Sequence, residues 1–205
     1  THHGVFDLAY MRPIPNLIIS SPLNEWDLRN LMYTGYKEEK GPFVIRYPKG
    51  KGEKTDWRNE MQLLPIGKGR KLHEGHDVAV LSIGPIGNEV IKAIKEVEEE
   101  GLSVAHYDMI YLKPIDEALL HEVGQTFSRI ITVENGVIKG GLGSAVLEFM
   151  ADYNYTPQIR RIGVPDRFIE QGSIPELYKQ CRMDAKSIAV AIREIISKNV
   201  NIITT

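Results

Sequence analysis

Two stretches of this chain carry side chains whose types and spacing could do chemistry. The first is Thr1-His2-His3-Gly4-Val5-Phe6-Asp7, where adjacent imidazoles, a glycine and, three residues later, an aspartate make a polar loop tip able to reach into a pocket. The second is Gly41-Pro42-Phe43-Val44-Ile45-Arg46-Tyr47-Pro48-Lys49-Gly50, an apolar strand closing in a cationic loop. Set at the ends of neighbouring strands, an imidazole loop and a cationic loop would suit an anionic, phosphorylated substrate. His2 and His3 also admit a plainer reading, a solvated terminus or the remnant of an affinity tag, because two imidazoles alone specify no ligand set.

Other candidates are weaker. Gly140-Gly141-Leu142-Gly143-Ser144 lies between a strand and a helix start, where free N–H groups could hold a phosphate. The dinucleotide pattern is incomplete, since Val146 stands where a third glycine should fall, so close backbone packing is the favoured reading. Glu134-Asn135 reads as a polar pair at a strand end. His73 and His76 have no carboxylate or cysteine neighbours at metal-ligand spacing, and His106 and His121 fall on a strand and a helix, where a satisfied imidazole is the ordinary outcome. Cys181, the only cysteine, excludes an internal disulfide and reads as a structural thiol on a C-terminal helix.

The elements that must position these groups alternate strand and helix. Residues 16–20 read as a short buried strand, followed by a helix capped by Asn24 that aligns Leu28, Leu31, Met32 and Gly35 on one face. Residues 42–47 form the next strand. Two strands and one helix cannot cover a parallel sheet on both faces, so this part is incomplete or completed by another chain. Residues 49–77, rich in Lys, Gly and Glu, read as a linker lying across a surface, with Trp57, Leu63, Leu64 and Ile66 as isolated anchors. From Val78 a second unit begins, with strands over 78–83, 102–107, 129–133 and 158–164. Its helices start near Asn88, near Asp116 and after Gly143, and others follow over 175–180 and 184–196. A mostly parallel α/β sheet with helices on both faces follows.

Composition narrows the classes. Hydrophobic residues at 42%, charged residues at 25% and a net charge of −2 over 205 residues describe a globular protein with no basic excess for nucleic acid. No apolar run approaches the roughly 20 residues needed to span a bilayer.

Taken in order, Thr-His-His-Gly-x-Phe-Asp, Arg12-x-Ile14-Pro15-Asn16, Leu31-Met32-Tyr33-Thr34-Gly35-Tyr36 and Arg46-Tyr47-Pro48 resemble the 1-deoxy-D-xylulose-5-phosphate synthases, thiamin enzymes of transketolase architecture. The resemblance continues through Leu64-Pro65-Ile66-Gly67-Lys68-Gly69, Lys113-Pro114-Ile115-Asp116, Val133-Glu134-Asn135, the glycine turn and Gly163-Val164-Pro165-Asp166-x-Phe168-Ile169. It implies the C-terminal part of such an enzyme. Residues 1–50 would be the second half of a pyrimidine-binding domain, 51–77 a linker and 78–205 a complete transketolase C-terminal domain.

The implied reaction joins pyruvate to glyceraldehyde 3-phosphate with loss of carbon dioxide, at the head of the non-mevalonate isoprenoid route, in a cytoplasmic homodimer. His2 falls at the family's active-site histidine. Lys49 stands where the family has arginine in the loop that holds the aldehyde's phosphate, and Arg46 is a second substrate-binding candidate that could equally anchor its own loop. Thiamin diphosphate and magnesium are implied for the full-length enzyme. No Gly-Asp-Gly motif with a following Asn is present, so none is expected to bind these 205 residues tightly. The β-subunit of a thiamin-dependent 2-oxo-acid dehydrogenase and a non-catalytic dimerisation or ligand-binding module are the rival readings. The Thr-His-His-Gly and Arg-Tyr-Pro-Lys-Gly stretches tell against the first, while residues 78–197 alone would suffice for the second.

Overall fold

The computed structural model describes residues 4–50, 52 and 58–197. His2 and Trp57 lie outside them. In chain order the elements are α1 (Asp7–Met11), β1 (Ile18–Ser20), α2 (Glu25–Glu38), β2 (Phe43–Ile45), β3 (Arg70–His73), β4 (Val78–Ile83), α3 (Gly87–Glu98), β5 (Val104–Asp108) and β6 (Tyr111–Lys113). They continue with α4 (Glu117–Thr126), β7 (Arg129–Val137), α5 (Leu142–Asp152), β8 (Gln158–Val164), α6 (Ile174–Gln180) and α7 (Ala185–Ser197).

The strands make two sheets, ordered β2-β1-β6 and β3-β5-β4-β7-β8. In the larger sheet β5, β4, β7 and β8 are parallel and β3 runs antiparallel at one edge. All six residues of β4 are buried, as a central parallel strand covered on both faces requires. Its side chains alternate between two cores. Ala79, Leu81 and Ile83 pack with α4 and α5, and Val78 and Val80 pack with α3 and α7. The amphipathic spacing of Val90, Ala93, Ile94 and Val97 on α3 puts all four under that second layer.

Two local expectations change for identifiable reasons. The strand expected over 16–20 begins at Ile18, because Asn16 sits at φ 60°, outside extended geometry. Asn88 does not cap α3, which starts at Gly87 behind Ile86 with no side-chain cap; the Asn88 amide instead donates to the Leu23 carbonyl at 3.2 Å. Asn24 and Asp116 do cap α2 and α4, accepting from Asp27 N at 3.1 Å and Leu119 N at 3.2 Å.

Two strands were not legible. The charge-rich stretch read as linker contains β3, whose Arg, Lys and His suit an edge open to water on one side. Asp116 fastens the approach to it, accepting from the Gly69 N–H at 3.0 Å and the Lys68 ammonium at 3.1 Å. The small sheet gains its third strand from this same chain: β6 lies antiparallel on β1, pairing Ser20 with Tyr111 and Ile19 with Lys113. The Tyr111 hydroxyl donates to the Leu64 carbonyl at 2.9 Å, and Lys113 Nζ donates to the carbonyls of Arg12 and Ile14 at 2.8 and 2.6 Å. Among the described residues no helix is long and apolar enough to cross a membrane.

Because Leu81 is fully buried in the α4–α5 core, Leu81→Ala is expected to lower the unfolding free energy by roughly 2–5 kcal/mol, measured by denaturant titration. A loss below about 1 kcal/mol would show that this layer collapses onto the cavity.

Candidate functional site

The carboxyl ends of β1, β2 and β4 open on one cleft of about 510 Å³. Open α/β sheets place ligands outside the carboxyl ends of their strands, where loops diverge to leave a crevice. Pro22, Leu23, Asn24 and Glu25 form one wall, the β2 loop from Tyr47 to Gly50 a second, and Asn88, Glu89, Lys92 and Tyr178 a third. The wall at 22–24 is held from both sides. The Ser21 hydroxyl donates to the Arg46 carbonyl at 2.7 Å, and Asn88 binds the Leu23 carbonyl. Gly84 stands at φ 78°, and a Cβ there would lie 2.4 Å from Ser21 Oγ, so only glycine lets the β4–α3 turn approach this closely.

Lys49 lies exposed in the cleft wall and makes no hydrogen bond or ion pair among the described residues. The neighbouring charges are committed elsewhere. Glu89 binds Lys92 at 2.6 Å and the Ala185 N–H at 3.0 Å, and Asp184 accepts from the Ser187 hydroxyl at 2.6 Å. An unpaired ammonium on a flexible stem at the mouth of a crevice can take up a phosphate as a point charge.

Arg46 is placed differently. Its Nε donates to Asp7 Oδ2 at 3.1 Å, its Nη2 to the carbonyls of Gly4 at 3.1 Å and Asn135 at 3.0 Å, and its Nη1 to the Asn135 side chain. The guanidinium therefore ties the end of β2 to the chain just after the histidine pair and to the end of β7. The loop chemistry of the sequence brought Arg46 and Lys49 together, and the structure separates their surroundings: one is enclosed by partners, the other faces the cleft.

The glycine turn at the start of α5 already holds an anion of the chain's own. Glu134, buried, accepts from the N–H groups of Leu142 at 2.9 Å and Gly143 at 2.8 Å. A Cβ on Gly141 would fall 1.9 Å from its Oε2, so the glycines serve close packing and leave no room for a phosphate. Burial, opposed by those two N–H groups, raises the Glu134 carboxyl above the usual range. Cys181 is a free, partly buried thiol at the end of α6, and its burial pushes it up, away from the thiolate.

A third group was missed from the sequence. Arg70 on β3 reaches both oxygens of Asp27 on α2, at 2.9 and 2.5 Å, and Asp108 Oδ2 on β5 at 2.8 Å. Both carboxylates are fully buried. Arg70 falls in the charge-rich stretch 49–77 that reads as a linker, where the apolar Leu72 between charged neighbours is the one local sign of a strand. Burial, opposed by Arg70 and reinforced by Asp27, pushes Asp108 up to about 6. A carboxyl whose folded value is raised contributes stability that is complete below its unfolded value near 3.8 and is lost as pH rises through about 6. Asp108→Asn is expected to flatten the decline in unfolding free energy between pH 4 and 6, read by denaturation at a series of pH values; an unchanged slope would sink the assignment.

Comparison with known proteins gives consistent results. The family model "Transketolase, C-terminal domain" matches residues 67–188, and "Transketolase, pyrimidine binding domain" matches residues 1–54. The 1-deoxy-D-xylulose-5-phosphate synthase of Parabacteroides distasonis is 76% identical over 194 residues, covering 95% of this chain and 31% of that protein. The synthase of Bacteroides thetaiotaomicron is 59% identical, covering 92% and 29%. The chain thus spans less than a third of the length of these curated relatives. A solved split-gene transketolase, an inactive β4 tetramer, superposes with a TM-score of 0.81 at 29% identity, covering 96% of this chain and 62% of that one. With more than half of its length matched by one family model over the strands that build the larger sheet, the chain belongs to the transketolase family through its C-terminal domain.

Proposed function

We propose that this chain carries part of a 1-deoxy-D-xylulose-5-phosphate synthase, which condenses pyruvate with glyceraldehyde 3-phosphate, releases carbon dioxide and yields 1-deoxy-D-xylulose 5-phosphate. The observation that carries the reading is the coincidence of 76% identity to such a synthase with an unpaired cation, Lys49, at the strand-end cleft. In this reading the Lys49 ammonium binds the phosphate of the aldehyde, and the substitution of lysine for a forked arginine keeps the charge while relaxing the geometry. His2, outside the described residues, hydrogen-bonds the substrate carboxylate or the developing oxyanion and moves a proton during carbon–carbon bond formation. Arg46 contributes at one remove, by fixing the loop that carries Lys49 to the segment that follows His2.

Thiamin diphosphate and magnesium are the cofactors of the proposed activity. The α5 start, which could cradle a phosphate, is filled by Glu134 and does not fit the diphosphate. The proposal therefore routes no step through a cofactor held by these residues. A division at residues 51–77, a homodimer and a cytoplasmic location complete the reading on family resemblance alone.

Two measurements test it. Lys49→Met in the enzyme that carries this chain is expected to raise the KM for glyceraldehyde 3-phosphate about 10- to 100-fold, the effect of losing a charge-assisted hydrogen bond, with the KM for pyruvate unchanged and Lys49→Arg restoring most of the loss. Equal KM values for wild type and Lys49→Met would remove Lys49 from the site. Calorimetric titration of thiamin diphosphate and magnesium into the 205-residue chain is expected to show no micromolar binding. Tight binding there would overturn the assignment of cofactor ligands.

A further inference from the structure

We propose that Arg70 is a positioning residue of the strand-end cleft: by gripping Asp27 with both Nη atoms, it holds the wall at residues 22–24 against which a ligand of Lys49 would rest. The inference deepens the reading of that cleft as an anion site and rests on it.

The wall lies between two cavities. Leu23, Asn24 and Asn88 line the Lys49 cleft on one side and also line a second cavity of about 530 Å³ on the other, so these residues form a thin partition between two open volumes. Leu23 is buried against Gly87, but packing alone does not fix the backbone of a segment with cavities on both sides, and hydrogen bonds set its position. Besides the Ser21 and Asn88 bonds, two converge on Asp27. Its Oδ2 accepts from the Leu23 N–H at 3.2 Å, and its own N–H is capped by Asn24 Oδ1 at 3.1 Å. Asp27 is in turn fixed by Arg70 through paired contacts at 2.9 and 2.5 Å, and Arg70 is anchored to the larger sheet by Asp108 at 2.8 Å. The route from the larger sheet to the cleft wall therefore runs Asp108, Arg70, Asp27, Leu23, with each step a hydrogen bond. Arg70 Nε is buried and has no hydrogen-bond partner among the described residues, so the grip on Asp27 and Asp108 is made by the two Nη atoms.

A fork is needed at this position. Paired N–H donors lock the Asp27 carboxylate in one plane, so the orientation of its Oδ2 toward Leu23 is set; a single ammonium would leave the carboxylate free to rotate. Removing the guanidinium would also leave two carboxylates buried together with no counter-charge, which drives the α2 start away from β5.

The test uses the full 205-residue chain with inorganic phosphate as the probe. The rate at which Lys49 is acylated by an amine-reactive reagent is followed by peptide mass spectrometry, and the emission of Trp26, beside Asp27, is followed in a Trp57→Phe background. In Arg70→Met the phosphate concentration that half-protects Lys49 is expected to rise about tenfold, with Trp26 emission shifted to the red; Arg70→Lys, which keeps the charge and loses the fork, should recover only part of both. If Arg70→Met does not fold, the neutral triple variant Arg70→Met, Asp27→Asn, Asp108→Asn removes the uncompensated charges and should fold with the same weakening. Folded variants with wild-type Lys49 protection and unshifted Trp26 emission would reduce Arg70 to a staple between domains and overturn the inference. Should phosphate fail to protect Lys49 in the wild-type chain, the anion reading of the cleft fails, while a red shift of Trp26 in Arg70→Met would still support the hold on the wall and an unshifted emission would refute it.

Discussion

Two carboxylates without access to solvent, Asp27 on α2 and Asp108 on β5, face the same guanidinium across the boundary between the two sheets. A lone buried carboxylate is strongly unfavourable, and two together are worse, so the arrangement exists only while Arg70 stands between them. Such a cluster contributes little net stability compared with an apolar contact of the same size. What it supplies is direction: paired N–H donors accept one relative placement of two carboxylates, whereas aliphatic side chains accept many. The orientation of α2 against the larger sheet, and with it the shape of the cleft, follows from that constraint.

The same boundary is crossed by the backbone. After β5 the chain passes through Ile110, at φ 53°, and enters the small sheet as β6, so that one continuous segment belongs to both sheets. The Met109 N–H donates to the Ser82 carbonyl on β4 at 2.8 Å, and the Ile110 carbonyl accepts from the Ser21 N–H at 2.8 Å, joining the ends of β4 and β1 through two consecutive residues. Separation of the two parts would break a sheet pairing as well as side-chain contacts. Ile18, Leu31, Ile110 and Tyr111 form a small core of their own beneath it, which Leu64 and Ile66 cover from the connecting segment.

Two of the strand-to-helix turns are treated in opposite ways. At the start of α5 the exposed N–H groups are consumed by Glu134, an anion supplied by the neighbouring strand, and glycines admit it by lacking a Cβ. At the start of α3 no side chain caps the helix, and the turn contributes instead to the wall of the cleft in which Lys49 stands. Electrostatic demand satisfied internally makes the first a structural joint. The second carries Glu89 in its first turn and opens on the cleft, so its residues stay available to the anion site proposed there.

Much of this was legible in the chain. The run from Val78 to Ile83 is long enough and apolar enough to be a central parallel strand, the helices α3, α5 and α7 stand where they were expected, and the Asn24 and Asp116 caps hold. These features depend on neighbours close in sequence, and local sterics and periodicity determine them. The identities of Lys49 and Arg46 as cationic strand-end residues were equally visible. What the sequence could not decide was which cation is spent and which is open, because Arg46 meets Asn135 and Arg70 meets Asp27 and Asp108 only after segments 38 to 89 residues apart are brought together. β3 and β6 escaped for the same reason: three- and four-residue strands have too little pattern of their own, and their pairing partners, β5 and β1, are supplied by the tertiary fold.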